Sequence, residues 1–179
     1  MKATGIVRRI DELGRIVVPK EIRKTLRIRE GDPMEIFTDT EGKVVLKKYS
    51  PIEDITTHAK QAAEVISRIT GMGVVITDRD QAIAISGAVK KELIGKNISR
   101  ILEEFMRERK NINSSKGDKK IEILEGEGLM EGEQVVCHIL SDSDVIGSLI
   151  IVSKDKTITE VENKIALMAS MFLGRQLEG

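Results

Sequence analysis

The chain has 179 residues, 29 Lys+Arg against 29 Asp+Glu, 40% hydrophobic and 2% aromatic residues, no Trp and one Cys. That is a length for one domain or two small ones and a globular composition, and the balanced charge excludes a bulk attraction to nucleic acid, anionic membrane or acidic substrate. Cys137 alone excludes an internal disulfide and a multi-cysteine zinc site, and the few aromatics exclude a stacking platform for single-stranded bases. No apolar run reaches the roughly 18 residues of a membrane span. The polar start MKATGIVRRIDELGR does not read as a signal peptide, so the expectation is a cytoplasmic chain with no membrane partner.

Residues 3–10, ATGIVRRI, predict a strand, residues 11–14 a turn, and Arg15 to Val18 a second short strand. Pro19 suits the first position of a helix over Lys20 to Leu26, with Ile22 and Leu26 on one face. After the turn Glu30-Gly31-Asp32-Pro33, Met34 to Thr38 and Val44 to Lys48 predict a hairpin around Thr40-Glu41-Gly42. Such a β-β-α-β-β head of about fifty residues, without disulfide or metal, is too small to close a core alone and should complete it by dimerising.

A new element opens at residues 50–51, which sets the domain boundary: 1–50 and 51–179. Ser50, Pro51 and Glu53 form a capping-box pattern for a helix running to about Ile69, with apolar Ile55, Ala59, Ala62, Ile66 and Ile69 in a 4-3-4-3 spacing. Strands are expected at Gly73 to Thr77 and Ala82 to Ser86, then a short helix Lys90 to Ile94 and a Ser99-capped helix to about Lys110. Residues 111–119 read as a polar loop, followed by strands at 120–124, 134–140 and 145–152. Thr159 and Glu162 form another capping box, and the last helix carries Val161, Ile165, Met168 and Phe172 at 4-3-4. The fold class is therefore α+β, with a five-stranded antiparallel sheet in the second domain covered by helices as an α/β sandwich.

The charge is uneven. Residues 1–29 hold nine basic against three acidic side chains, a net +6, so a basic head precedes a mildly acidic body. Lys20, Arg23, Lys24 and Arg27 fall at i, i+3, i+4 and i+7, on the side of the helix away from Ile22 and Leu26. Like charges at that spacing oppose a helix by about 0.2–0.5 kcal/mol per pair, a cost that an anionic partner offsets. Arg8, Arg9 and Arg15 bracket the Asp11–Gly14 turn with more positive charge. This surface suits phosphates and major-groove base edges; a basic face that only confers solubility is the other reading.

MKATGIVRRIDELGRIVVPKEIRKTLRIREGDPMEIF, and above all Gly14 to Ile36, closely resembles the AbrB-type swapped-hairpin DNA-binding domain. The element order of residues 51–179 resembles a GAF domain, a small-molecule sensor module, and the whole chain is similar to the SpoVT-like family of sporulation transcription regulators. The resemblance implies two chains exchanging hairpins into one dimeric β-barrel, a further association to a tetramer, duplex DNA as partner and a nucleoid-associated location. Carried over by position, Arg8, Arg15, Arg23 and Lys24 are the DNA-contacting candidates, with Arg9 and Lys20 behind them; Arg27 is added from helix spacing. Lys24 stands where the family often has arginine, which keeps the charge but loses the two-pronged reading of a base. A small-molecule ligand of unidentified chemistry is the further partner that a GAF-like body implies.

Weaker signals point elsewhere than to chemistry. Gly71-x-Gly73 and Gly126-x-Gly128 lack the context of a dinucleotide fingerprint. His58, His138 and Cys137 read as structural, and with no thiol–base or carboxylate pair the sequence offers no catalytic, metal or cofactor site, so an enzyme is not expected. An antitoxin-type regulator, with the same head and a toxin-binding tail, is the alternative. Its tail would be extended, whereas residues 51–179 carry capped helices and alternating strands.

Overall fold

The computed structural model describes residues 5–49 and 56–177. Two compact units, Met1–Tyr49 and Ser50–Gly179, make up the chain.

In the head, α1 (Lys20–Thr25) precedes a hairpin of β1 (Met34–Thr38) and β2 (Val44–Lys48), paired antiparallel from Met34↔Lys48 to Thr38↔Val44. Pro19 supplies the N-cap, one place earlier than expected, and its carbonyl accepts the Arg23 amide at 3.0 Å. The two N-terminal strands do not form: residues 5–10 and 15–18 join no ladder in this chain. Among the described residues no strand of this chain lies alongside them. A strand is stabilised by a partner edge and by cover on its apolar face, and a lone hairpin is marginal in water. Here the stretch from Val7 to Val17 lies in no sheet, and Val7 is 89% and Val17 71% exposed. The β1–β2 hairpin is equally bare, with Ile36, Phe37, Val45 and Leu46 all exposed, and α1 buries nothing.

The body is built on one five-stranded antiparallel sheet in the order β4-β3-β7-β6-β5: β3 (Gly73–Thr77), β4 (Ala82–Ser86), β5 (Ile112–Asn113), β6 (Glu133–Ser141) and β7 (Asp144–Ser153). Helices α2 (Thr56–Thr70) and α4 (Glu160–Arg175) pack side by side on one face, and α3 (Arg100–Glu108) on the other. Strand alternation divides the core accordingly. Val74, Ile76, Cys137, Leu149 and Ile151 meet Ala63, Ile66, Ala169 and Leu173 of the paired helices. Val75, Val136 and Ile150 meet Leu102 and Met106 of α3.

Two expectations for the body need correction. Residues 120–124 are not a strand; the fifth strand is Ile112–Asn113. The apolar residues Ile121, Ile123 and Leu124 are buried, but their backbone bonds do not join the sheet. The Gln134 side-chain amide accepts from the Ile121 N–H (3.2 Å) and donates to its carbonyl (3.0 Å), and the Ser99 amide donates to the Ile123 carbonyl. The short helix at Lys90 to Ile94 shrinks to a 3₁₀ turn at Lys91–Leu93. The apolar helix series divide between core and solvent. On α4 the buried residues are Ala166, Ala169, Ser170, Leu173 and Gly174, while Val161, Met168 and Phe172 of the 4-3-4 series face outward. On α2, Ala59, Ala63, Ile66, Ser67 and Thr70 face the core, and Ile69 is 70% exposed. The close approach of α4 to β6 leaves no room for a side chain at Gly174: a Cβ there would sit 1.9 Å from the Leu140 carbonyl oxygen. The Thr159–Glu162 capping box is present, with both reciprocal bonds. The Ser50–Glu53 pattern and Ile55 lie outside the described residues.

Candidate nucleic-acid interface

The basic residues of the head are carried on two local devices. The first is the turn between Arg8–Arg9 and Arg15. Asp11 organises it: its carboxylate accepts the Leu13 amide (3.0 Å), the Arg15 amide (2.8 Å) and the Arg15 Nε (2.8 Å). The Asp11 amide donates to the Arg15 carbonyl at 3.1 Å, and Gly14, at φ +76°, takes the left-handed conformation that closes the turn. The backbone and side-chain hydrogen bonds from Arg15 hold the Asp11 carboxyl below its ordinary range. The pair is exposed, so it orients the Arg15 guanidinium without sequestering it. Sequence reading missed this clasp; its trace is an aspartate four residues before an arginine across a glycine turn.

The second device is α1, where Lys20, Arg23 and Lys24 all point into solvent, with Ile22 half-buried. Arg23 and Lys24 fall in the last turn, where the negative end of the helix dipole favours them. The i+7 argument for Arg27 does not survive. The helix ends at Thr25, and Arg27 adopts φ +52° and is half-buried. Behind it the Lys48 ammonium donates to the Arg27 carbonyl (3.3 Å) and pairs with the half-buried Asp32 (3.1 Å), whose carboxylate also accepts the Arg29 amide (2.8 Å). This second clasp, also unforeseen, fastens the end of α1 to β2. Arg8 and Arg9 are exposed in the chain leading into the turn.

The body residues singled out by the sequence are structural in their surroundings. Cys137 is buried, and desolvation pushes its thiol up to about 11. His138, the next residue, turns to the other face of the sheet. Its Nε2 lies 2.9 Å from the Lys110 carbonyl and its Nδ1 2.9 Å from the Ser148 hydroxyl. A carbonyl only accepts, so Nε2 carries the proton and Nδ1 of the neutral ring accepts from Ser148. Burial lowers the pKa of this ring, against the pull of the Lys110 and Phe105 carbonyls. His58 is exposed on α2. Among the described residues no group of His, Cys, Asp or Glu is placed to hold a metal, and no helix is long and apolar enough to cross a membrane.

The solved GAF domain from Acinetobacter phosphoenolpyruvate-protein phosphotransferase covers 71% of this chain and 90% of its own, with a TM-score of 0.52 at 12% identity, which establishes the GAF-like fold of the body. The transition state regulatory protein AbrB of Bacillus subtilis (strain 168) is 61% identical over 51 residues, 28% of this chain and 52% of that one. Residues 7–54 match the family profile of the antidote-toxin recognition protein MazE, a bacterial antitoxin. An AbrB-type basic head joined to a GAF-like body defines the class: a transcription regulator. Residues 54–178 match the profile described as stage V sporulation protein T C-terminal, transcription factor, and the stage V sporulation protein T of Bacillus subtilis (strain 168) is 49% identical over 178 residues, 99% of each chain. The chain belongs to the stage V sporulation protein T family.

Proposed function

We propose that this chain is a sequence-specific bacterial regulator of sporulation genes. Residues 1–50 bind duplex DNA as an intertwined dimer, and residues 51–179 join the dimers and take a ligand. The observation that carries the reading is the double exposure of the head. Arg8, Arg9, Arg15, Lys20, Arg23 and Lys24 are exposed to solvent while Val7, Val17, Phe37 and Leu46 lack cover within one chain. A second head exchanging hairpins covers the apolar residues and doubles the basic surface. Arg8, Arg15, Arg23 and Lys24 make the first contacts, Arg9 and Lys20 flank them, and Arg27 rests on charge alone. Oligomerisation through the body is supported by the outward apolar faces of α2 and α4, where Met168 is 66% and Phe172 56% exposed. A regulator of this kind works in the cytoplasm on the nucleoid and carries out no catalysis.

The test is a binding titration of the full chain against operator and random duplex at several salt concentrations. About six phosphates neutralised per dimer, at about −0.9 each, give a slope of log K against log salt of about −5. A slope near zero, or unaltered affinity in folded Arg15→Ala and Arg23→Ala variants, makes the basic surface a solvated face and removes the mechanism. The antitoxin reading draws support from the family match of residues 7–54. It needs an extended tail that folds on its partner, and the body instead packs a core on both faces of its sheet.

A further inference from the structure

The α3 face of the body sheet is filled from within by Val75, Ile85, Ile123, Leu102 and Met106. At its rim a half-open pocket of about 440 Å³ lies where the segment after β4, the end of β7 and the stretch before β6 come together. The volume is in the range of small-molecule sites, about 300–1,000 Å³. Its floor is aliphatic, made of Val89, Leu93, Met130 and Val152, which continue the core of that face.

The wall is charged in a particular way. Glu131 is held by Lys154 at 2.6 Å, and Glu127 is held by Lys96. The Lys120 ammonium donates to the Met130 carbonyl at 3.2 Å. Lys90 also lines the pocket, and its field reaches Glu127 only beyond the closer Lys96. The lining carries two lysines and two glutamates; Glu131 is taken by Lys154 and Glu127 by Lys96 from beside the lining, which leaves the Lys90 ammonium at the rim with no ion pair among the described residues. The Lys154–Glu131 pair is exposed on both sides, so exchanging Glu131 for another carboxylate costs little.

We infer that this pocket binds a small aliphatic monocarboxylate. The alkyl body lies on Val89, Leu93, Met130 and Val152, and the carboxylate bridges Lys90 and Lys154 in place of Glu131. The inference rests on the reading of the body as the ligand-taking half of the regulator and supplies the chemistry of that ligand. The hydrophobic floor rejects small polar anions, and the ammonium rim rejects alkyl chains with a neutral or cationic head.

The experiment is calorimetric titration of the full chain with octanoate, octanol and octylamine below their aggregation limits. Octanoate should bind saturably, and the alcohol and the amine about tenfold or more weaker. The exposed-side-chain variants Lys90→Gln and Lys154→Gln should keep the circular dichroism spectrum and melting temperature and lose octanoate affinity by about tenfold. Equal binding of the three probes, octanoate affinity unchanged in both variants, or no saturation overturns the inference. DNA affinity is measured on the same preparations. Intact DNA binding without octanoate binding removes the pocket ligand alone, and octanoate binding without DNA affinity removes the regulator reading alone.

Discussion

Gln134 is one side chain standing in for a strand. It is 1% exposed, and its amide satisfies both backbone groups of Ile121, which lets the segment carrying Ile121, Ile123 and Leu124 close the α3 face without joining the sheet. Gln134→Leu leaves a buried N–H and a buried carbonyl without partners, so urea unfolding should show a loss of about 2–4 kcal/mol. Cys137 and His138 give the body two opposite pH dependences. The folded pKa of Cys137 is raised from 9.0 to about 11, so the folded state holds its proton longer. Its contribution is complete below pH 9 and lost as pH rises toward 11, by at most about 3 kcal/mol. Stability measured from pH 8 to 11 should fall more steeply in the natural chain than in Cys137→Ala. The pKa of His138 is lowered by burial from 6.5, so its contribution is present above pH 6.5 and is lost as pH falls through the folded value. His138→Gln should flatten the acid limb of the same curve.

At the scale of elements, α2 and α4 each have two apolar faces, and only one of them meets the sheet. The sheet side takes Ile66 and Leu173 with the small residues Ala59, Ala63, Ala166, Ala169 and Gly174, and the solvent side is left with Val65, Ile69, Met168, Met171 and Phe172. Gly174→Ala drives a methyl into the Leu140 carbonyl and should lower body stability by about 1–3 kcal/mol in thermal or urea unfolding. The outward face makes the opposite prediction. Ile69→Lys with Phe172→Lys should leave the fold and its stability nearly unchanged and reduce the mass of the assembly in sedimentation. An unchanged mass would assign these side chains no role in association. Ile66 belongs to the other class; it is buried against the sheet, so a charge there unfolds the body and reports nothing about assembly.

At the scale of the whole molecule, the head and the body differ in how far one chain suffices. The body buries continuous cores on both faces of its sheet. The head has one two-stranded ladder and a helix with no buried residue. Thermal unfolding of the full chain should therefore show a head transition that shifts upward with protein concentration, because folding there is coupled to association. A concentration-independent head transition would mean that one chain suffices. The DNA-binding variants are expected to separate into two phenotypes. Lys24→Ala should weaken operator and random duplex alike, since an ammonium is a point charge. Arg23→Ala should additionally relax preference for the operator by about 1–3 kcal/mol for each base edge the arginine reads, taken from the ratio of the two affinities.

Most of the body and the chemistry of the head are local properties, and local properties are written in the sequence. Short apolar runs bounded by turn residues located β3, β4, β6 and β7, the Ser99 and Thr159 caps started α3 and α4, and the spacing of Lys20, Arg23 and Lys24 marked a basic helix face. Tertiary structure decided what depends on a neighbour. Residues 120–124 have a strand's pattern, but pairing is settled by what lies alongside, and there Ile121 meets the Gln134 side chain and Ile123 the Ser99 backbone amide. The last helix carries more apolar surface than one stripe, and the face that meets the sheet is decided by packing, which takes Ile66, Ala169, Leu173 and Gly174 inward and leaves Ile69, Met168 and Phe172 in solvent. Residues 5–18 carry the composition of strands and join no sheet, because the ladder and the burial that make a strand come from a second edge that this chain does not supply to itself.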